Sequence, residues 1–467
     1  MNRATGRVAA ALVVGALLVA SVAAAISPGV AGDPASAAPD GAEPDGDVAE
    51  QVLAEGRPAV PVEGCTVIAE PGRYVLTRDV TNPRVETCIA VRADDVTLDG
   101  AGHAVDGGRL GQATAGVSVA PGAANVTVRD LTVSRWAFGI RYDGVTGGEI
   151  ANVTARFAAD GIHVRDSRDV VVRSATAEHN FVGVAVGRSE RVAVADTAAR
   201  WNAIHGVSLA AATDVALSNV TAASNEVGLG VFRAVDVAGR DVTAVSNRMT
   251  GVELTGVAEG RVANATVRGG AGEAFVRTPR GFVAVDAIDV ALARTRDSRV
   301  GSLAVGPDWS VSLGARTVNT SVTVLADGTE AVSLSGSGVV VSSAAAPPPP
   351  PDREALGPAV RAEATAPDAT LALAVEYADV ALGVEDVAEA TLGLWRYDGG
   401  EWAPVAGGRA DADRNLVRAT VTDFSVFAVL GERTAAVGDA TPSDSAAING
   451  SGATGGPGSS DEPDPSM

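Results

Sequence analysis

The sequence predicts an all-β chain built as a right-handed parallel β-helix followed by a small C-terminal β-sandwich-like domain. The first observation is a repeat of about 22 residues, marked by glycines that each open a short alternation of apolar residues. The second is a series of asparagines at the same spacing, and the third is an aromatic content of only 4%. A repeat of this length is too short for a pair of helices and fits one turn of a β-solenoid.

The alternation after each repeat glycine predicts one strand per coil. The residues one and three positions after the glycine are apolar and the residue between them varies, as in Ile140/Tyr142 and Val184/Val186. This period of two indicates a strand with one buried face. The repeat glycines are Gly116, Gly139, Gly161, Gly183, Gly206, Gly228 and Gly251.

An asparagine also recurs once per coil, at Asn180, Asn202, Asn225 and Asn247. Because stacked strands lie about 4.8 Å apart, like residues at one coil position come to lie over one another. We therefore expect these four amides to form a ladder at a tight turn.

The opening coils resemble a known family. The stretch Cys65-Thr-Val-Ile is followed by Tyr74-Val-Leu, by Cys88-Ile-Ala-Val and by Asp95-Val-Thr-Leu-Asp-Gly. This is similar to the first coils of the NosD-like right-handed β-helix proteins, part of the carbohydrate-binding and sugar-hydrolysis (CASH) group with the pectin-lyase-like fold. The resemblance covers about residues 60–345 and implies the fold. It leaves the function open, because this coil supports lyases, hydrolases, epimerases, adhesins and a copper-site accessory protein.

The composition divides the chain into segments. Arg3 and Arg7 precede an apolar run that ends at Ile26, which predicts a signal peptide, with a retained membrane anchor as the alternative. The C-terminal strands resemble the sandwich module of haloarchaeal surface proteins. The predicted boundaries are 1–26 signal peptide, 27–59 disordered acidic leader, 60–345 β-helix with an N-terminal cap, 346–355 Pro-rich linker, 356–432 β-sandwich-like domain and 433–467 disordered tail.

The charge restricts the class of partner. The chain holds 57 acidic residues against 36 basic ones, all of them Arg, for a net charge of −21. Such a surface argues against nucleic acid as the partner, since phosphate binding needs a basic patch. A Lys-free acidic chain is typical of a halophilic archaeon, where carboxylates keep the surface hydrated.

Two cysteines, Cys65 and Cys88, are expected to pair in an exported protein, the alternative being two buried thiols. The sequence has six glycosylation sequons, which suit a secreted glycoprotein. They start at Asn125, Asn152, Asn219, Asn264, Asn319 and Asn449.

Two groups of residues are candidate sites on the solenoid. Arg141, Asp143, His163 and Arg165 fall on one outward strip of adjacent coils, where they form either an acid–base site or a charge ladder. Ca²⁺ enters only if the protein is a lyase. No other cofactor is evident, and the four histidines fall at different coil offsets, so no metal site is predicted.

The second group is Phe157, His179 and Trp201, which are spaced by one coil each; His179 and Trp201 directly precede asparagines of the row, and Phe157 is placed with them by its offset from the repeat glycine. Rings stacked on an outer turn form a platform on which sugars pack, or they fill the turn. The interpretation is therefore an extracellular or cell-surface β-helix protein, non-catalytic, that binds polysaccharide or a surface glycan or has a structural role. A polysaccharide lyase or glycoside hydrolase is the first alternative and a NosD-type copper accessory protein the second. No transmembrane span is expected after signal removal, and the sequence does not fix the oligomeric state.

Overall fold

The computed structural model describes residues 58–81, 83–108, 115–269, 273–278, 281–286, 288–326 and 330–434. The predicted signal peptide, nearly all of the leader and of the tail, and the sequon at Asn449 lie outside the described residues. Among the described helices, none has the length and apolar character needed to cross a bilayer.

Two large sheets form the molecule, and their strands are numbered in chain order. Sheet I contains the repeat glycines and has 16 strands. They are β2 (Thr66–Ile68), β5 (Thr87–Val91), β8 (Ala115–Val119), β10 (Phe138–Asp143), β12 (Asp160–Arg165), β15 (Val182–Gly187), β17 (His205–Ala210), β19 (Val227–Phe232), β21 (Thr250–Thr255), β25 (Ile288–Ala293), β27 (Ser310–Leu313), β30 (Val339–Ala344), β31 (Arg353–Ala364), β33 (Gly393–Asp398), β34 (Glu401–Pro404) and β37 (Val426–Glu432).

Sheet II has 19 strands and forms the opposite side of each coil. They are β1 (Val60–Val62), β3 (Gly72–Leu76), β4 (Val80–Thr81), β6 (Val96–Asp99), β7 (Ala104–Asp106), β9 (Ala124–Ser134), β11 (Thr146–Arg156), β13 (Arg168–Arg173), β14 (Thr176–Glu178), β16 (Glu190–Arg200), β18 (Thr213–Ala223), β20 (Val235–Asn247), β22 (Arg261–Gly269), β26 (Arg299–Ala304), β28 (Ser321–Ala326), β29 (Glu330–Ser337), β32 (Thr370–Glu376), β35 (Arg409–Asp411) and β36 (Leu416–Val421).

Neighbouring coils pair in parallel and in the register that the sequence predicts. Ile140 lies beside Ile162, Ile162 beside Val184 and Val184 beside Val207. The coils number about 11, each of about 22 residues. The predicted parallel β-helix is therefore confirmed.

The core is a stack of aliphatic rows between the two sheets. Val184 in sheet I and Val194 in sheet II are fully buried, as are their counterparts in adjacent coils. Large buried rings are rare: Trp136 donates its indole N–H to Val105 O at 3.1 Å, and the Tyr142 hydroxyl donates to Val126 O at 2.8 Å. Small and branched side chains thus allow the flat sheets to approach closely.

The repeat glycines are required by close packing between coils. A Cβ on Gly161 would lie 2.7 Å from Gly183 O and 2.8 Å from the Nδ2 of Asn180. Only glycine permits this approach, which explains why it recurs once per coil.

The disulfide between Cys65 and Cys88 is confirmed, with Cα atoms 4.3 Å apart. Since Cys65 lies just before β2 and Cys88 lies in β5, the bond joins the first two strands of sheet I.

A hairpin interrupts the coils after β22. Its strands, β23 (Glu273–Thr278) and β24 (Gly281–Asp286), pair antiparallel in a sheet of their own. The parallel stack then resumes, because β25 pairs with β21 and β26 with β22.

The strands beyond the last coils pair antiparallel but extend the same two sheets. In sheet I, β30 pairs with β27 and then with β31, and in sheet II, β29 pairs with β28 and then with β32. The Pro-rich segment lies against this part, since the Trp402 indole N–H donates to Pro348 O at 3.0 Å. One short helix, α1 (Asp379–Val384), and two 3₁₀ turns, Glu389–Thr391 and Ala412–Arg414, join its strands. Because both sheets continue past residue 346, the predicted domain boundaries stay predictions.

Five of the sequon asparagines lie at left-handed bends in or just before strands of sheet II. Each has a positive φ, near 50°, and each donates its side-chain amide to an aspartate of the preceding coil. The residues are Asn125, Asn152, Asn219, Asn264 and Asn319. Asn and Asp tolerate the left-handed region better than other non-glycine residues, so these positions also have a structural reason to be asparagine.

Candidate functional site: an exposed aromatic strip on the asparagine turn

Four successive coils pass from sheet II to sheet I through a turn built on a buried asparagine. The backbone N–H of Asn180 donates to Oδ1 of Asn202 at 3.0 Å, and that of Asn202 donates to Oδ1 of Asn225 at 2.9 Å. Asn225 repeats the contact with Asn247 at 3.0 Å. All four amides are at most 3% exposed, so each satisfies backbone groups that water cannot reach.

The residue before each asparagine takes a left-handed backbone conformation. His179 and Trp201 are two of these residues, and Phe157 holds the same coil position before Ala158, whose backbone N–H donates to Oδ1 of Asn180 at 2.9 Å. Phe157, His179 and Trp201 have φ values of 55°, 57° and 54°. Asn, Asp or Gly would adopt this conformation at lower cost than a large ring does. The requirements of the turn therefore do not explain the rings.

The three rings stack along the solenoid. The ring centroids of Phe157 and His179 are 5.3 Å apart, those of His179 and Trp201 are 5.3 Å apart, and each pair is tilted by 31°. Phe157 is 41% and Trp201 52% exposed. We call these three residues the aromatic strip.

Two further apolar side chains extend this exposed surface. Phe181 is 52% and Ile204 42% exposed, and the backbone N–H of Ile204 donates to Phe181 O at 2.9 Å. Neither residue was predicted from the sequence, although each lies two residues before a repeat glycine, Gly183 or Gly206.

The outward strip with the acid–base candidates lies on β10 and β12. Arg141 is in register with His163, as predicted, but the ion pairs run within each strand. Arg141 donates to Asp143 at 2.6 Å, and His163 pairs through Nδ1 with Asp160 at 2.7 Å. The His163 ring also packs edge-on to Phe138, with centroids 5.0 Å apart. The sequence analysis did not single out Asp160, which is the partner that orients the imidazole.

The other candidate on this strip joins a charge ladder. Arg165 lies 3.5 Å from Asp166, and Asp166 accepts two hydrogen bonds from Arg188 of the next coil. The contact with Arg188 holds the pKa of Asp166 below its usual range. The four candidates are thus each engaged with a neighbouring charge.

The remaining histidines lie apart. His103 pairs with Asp79 at 3.0 Å near the N-terminal end. His205 packs edge-on to Phe232, with ring centroids 5.5 Å apart, and burial lowers its pKa.

Comparisons with known proteins add a family match. Residues 100–264 match the family model described as periplasmic copper-binding protein (NosD). No curated protein matches the chain in sequence.

Similar solved structures include an epimerase module, a tailspike protein and a pectate lyase. The A-module of mannuronan C-5 epimerase AlgE4 from Azotobacter vinelandii is 14% identical, with 58% of this chain and 77% of that chain covered and a TM-score of 0.38. The Dettilon tailspike protein gp208 is 10% identical, with 80% and 86% covered and a TM-score of 0.41. Pectate lyase Pel9A is 13% identical, with 54% and 66% covered and a TM-score of 0.29. Likenesses this distant say nothing about activity.

The family description raises the question of copper, and the available donors do not fit a copper centre. Copper sites are built from convergent His, Cys and Met ligands. Both cysteines are in the disulfide and the four histidines sit in four separate contacts. Over the described ranges, no three His, Cys, Asp or Glu side chains come together in a metal-binding group.

Proposed function

Since the chain contains a NosD-like parallel β-helix, we propose that it is an exported, non-catalytic protein that binds polysaccharide through the aromatic strip. The observation that supports this most directly is the stack of Phe157, His179 and Trp201, exposed on a left-handed turn. Sugar rings pack their C–H faces on exposed aromatic rings. A linear glycan lying along the solenoid axis would meet one ring per coil.

The length of the strip suits a short oligosaccharide. The three rings and the flanking Phe181 and Ile204 span three coils, and neighbouring coils are about 4.8 Å apart. An exposed apolar surface in an otherwise charged chain is typical of a binding site.

Each acid–base candidate is engaged with a charge on its own strand or on a neighbouring residue, which suits a structural role for this strip. A carboxylate also orients the imidazole of a general base in enzymes, so product analysis distinguishes the two roles. Arg141 and Asp143 neutralise one another, and His163 is held by Asp160 and packed on Phe138. The proposal therefore assigns this strip to coil-to-coil and within-strand stabilisation.

A retention assay with product analysis tests the proposal. The full chain would be passed over immobilised polysaccharides of several classes, and bound material would be incubated and analysed by chromatography for shortened or unsaturated chains. We expect retention on at least one polysaccharide with no new products. Release of products would support the lyase or hydrolase alternative, and a failure to bind any polysaccharide would contradict the proposal.

A further inference from the structure

A second surface lies far along the chain from the aromatic strip, where the parallel coils give way to antiparallel strands. Here the outer face of sheet II forms a cleft of about 830 Å³ between β22, β26 and β28 on one side and β29, β32 and β36 on the other. Hydroxyl groups of Ser321, Ser335, Thr370 and Thr420 line it. We call it the junction cleft.

The junction cleft continues into a smaller one over the antiparallel strands. Ser321, Ser335, Ala372 and Thr420 line both, so the two form one elongated surface. Since adjacent strands lie about 4.8 Å apart, a surface that crosses this many strands suits an extended chain better than a compact ligand.

Arginine dominates the charge of this surface. Arg261 and Arg299 are register neighbours at one end, and Arg409 and Arg418 are register neighbours at the other. Among the described residues that line it, the one acidic side chain, Asp297, accepts a hydrogen bond from Asn319 at 2.7 Å. The surface is therefore positive in a chain whose net charge is −21.

Three of these arginines have no acidic partner. In the part of the chain that the structure describes, Arg299, Arg409 and Arg418 form no ion pair, and all three are exposed. Arg261 approaches Asp236 only to 3.9 Å. In contrast, Arg191 is hydrogen-bonded to Asp169 through both Nε and Nη2, which raises its own pKa.

We propose that the junction cleft binds an acidic polysaccharide whose uronate carboxylates pair with Arg299 and Arg418. The guanidinium fork matches a carboxylate with two parallel hydrogen bonds, and such charge-assisted bonds are stronger than neutral ones. The serine and threonine hydroxyls donate to and accept from sugar hydroxyls along the same surface. The junction cleft is separate from the aromatic strip. The cleft recognises the carboxylate charge of the polysaccharide, whereas the strip recognises the faces of its sugar rings.

Polygalacturonate and its methyl ester are the probes that separate charge from ring recognition. Both have the same sugar rings, and only the free acid has carboxylates. The full chain would be made in a host without N-glycosylation, so that Asn319 beside the cleft is unmodified. We expect the free acid to bind more tightly than the ester at low ionic strength, and the preference to shrink as salt rises.

The test variant is Arg299→Gln combined with Arg418→Gln. We expect polygalacturonate affinity to fall by about ten-fold or more, since two charge-assisted contacts are lost, while affinity for the methyl ester stays unchanged. The matched control is Arg84→Gln combined with Arg92→Gln, which removes the same charge from the N-terminal coils and should leave both affinities as they are. Each single variant, Arg299→Gln or Arg418→Gln, should give an intermediate loss.

Three outcomes would overturn the proposal. One is unchanged binding of the free acid by the double variant, and another is an equal loss in the control, which would show a general charge effect. The third concerns a synthetic peptide of residues 435–467. If this peptide displaces bound polygalacturonate at a lower concentration than soluble polygalacturonate does, the cleft would be assigned to the acidic tail. The proposed function predicts polysaccharide binding that depends on Trp201, whereas this proposal predicts a preference for the free acid that depends on Arg299 and Arg418, so the failure of one is distinguishable from the failure of the other.

Discussion

Asp289 is a buried carboxylate at a position where the earlier coils have glycine. It lies between Ile288 and Val290, which are in register with Thr250 and Val252 on either side of Gly251. The side chain is 1% exposed, its Oδ2 accepts the backbone N–H of Ser310 at 2.9 Å, and among the described residues its Oδ1 has no partner within hydrogen-bond geometry. Burial raises the pKa of Asp289 to about 7, so the folded protein favours the neutral carboxyl.

This raised pKa predicts a pH-dependent loss of stability. Below about pH 4 the carboxyl is protonated in both the folded and the unfolded chain, so its burial has no pH-dependent effect on the free energy of unfolding. As the pH rises toward 7, the unfolded chain releases the proton and the folded chain retains it, so the stability falls, and above about 7 the loss is constant.

Asp289→Asn should remove this loss while keeping an acceptor for Ser310. We expect the variant to be more stable than the wild type by roughly 2–4 kcal/mol at pH 8, with the difference shrinking toward pH 4. Thermal unfolding of both proteins across this pH range measures it. A difference that does not change with pH would show that the carboxyl is already partnered or hydrated.

At the residue scale, the sequence predicts a side chain well only where the repeat itself determines it. Phe157, His179 and Trp201 could be placed together because they occupy one coil offset. The burial of Asp289 could not be predicted, because it depends on the coil that follows the hairpin of β23 and β24. Asp160 was missed because its partner, His163, lies on its own strand and not in the neighbouring coil.

The asparagine turn is the element that positions the aromatic strip. Asn202 accepts the backbone N–H of Asn180 through Oδ1 and donates through Nδ2 to Ala177 O at 3.1 Å and to Asn225 Oδ1 at 3.0 Å. Any replacement that lacks the amide leaves buried backbone groups without partners.

Asn202→Ala should therefore destabilise the protein by roughly 2–4 kcal/mol, because at least two buried groups lose their hydrogen bonds. The control is Asn219→Gly. Asn219 is an exposed asparagine that bonds to Asp196 at 2.8 Å with a φ of 50°, which glycine adopts freely, so its loss should cost less than about 1 kcal/mol. Chemical denaturation of the two variants measures the difference, and equal losses would argue against the ladder as a stabilising element.

The disulfide is the element that fastens the N-terminal strands. It closes a loop with a sequence separation of 23 residues, which in the chain-entropy model stabilises the fold by about 3 kcal/mol. Replacing Cys65 and Cys88 by serine should increase amide hydrogen exchange in β1 to β7 and leave the later coils protected. An increase spread evenly over all coils would contradict a local role for the bond.

At the element scale, the coil period, the strands of sheet I and the asparagine row could be predicted because each follows from spacing along the chain. The hairpin of β23 and β24 and the antiparallel pairing beyond β28 could not, since pairing partners such as Ser335 and Ala372 are distant in sequence. The junction cleft arises from this pairing, which explains why no motif indicated it.

At the scale of the whole molecule, the β-helix presents two surfaces of different chemistry. The aromatic strip lies on the turns between the sheets in the central coils, and the junction cleft lies on sheet II near the C-terminal strands. We propose that the first recognises sugar rings and the second recognises carboxylates. A long acidic polysaccharide could then engage both, with an avidity greater than either site provides.

Net charge shapes how such binding would respond to salt. The charge of −21 repels an acidic polysaccharide at long range, and this repulsion is largely screened at about 0.1 M salt, where the Debye length is about 10 Å. Further salt weakens the short-range attraction between the cleft arginines and the uronate carboxylates. Contacts on the aromatic strip depend little on salt, because they rest on ring packing. We therefore expect binding of the methyl ester to persist at salt concentrations that weaken binding of the free acid, and titrations at several concentrations measure this.

The central claim, that the aromatic strip is kept for binding and not for folding, is tested most directly by Trp201→Asn. Asparagine suits the left-handed φ of 54° at this position, so the variant should unfold at the same temperature as the wild type or higher. Calorimetric titration with the polysaccharide retained by the wild type should show affinity reduced by about ten-fold or more, whereas Trp402→Asn, a partly exposed tryptophan in the C-terminal part, should bind normally. Unchanged affinity together with a lower unfolding temperature would show that Trp201 serves packing, and would contradict the claim.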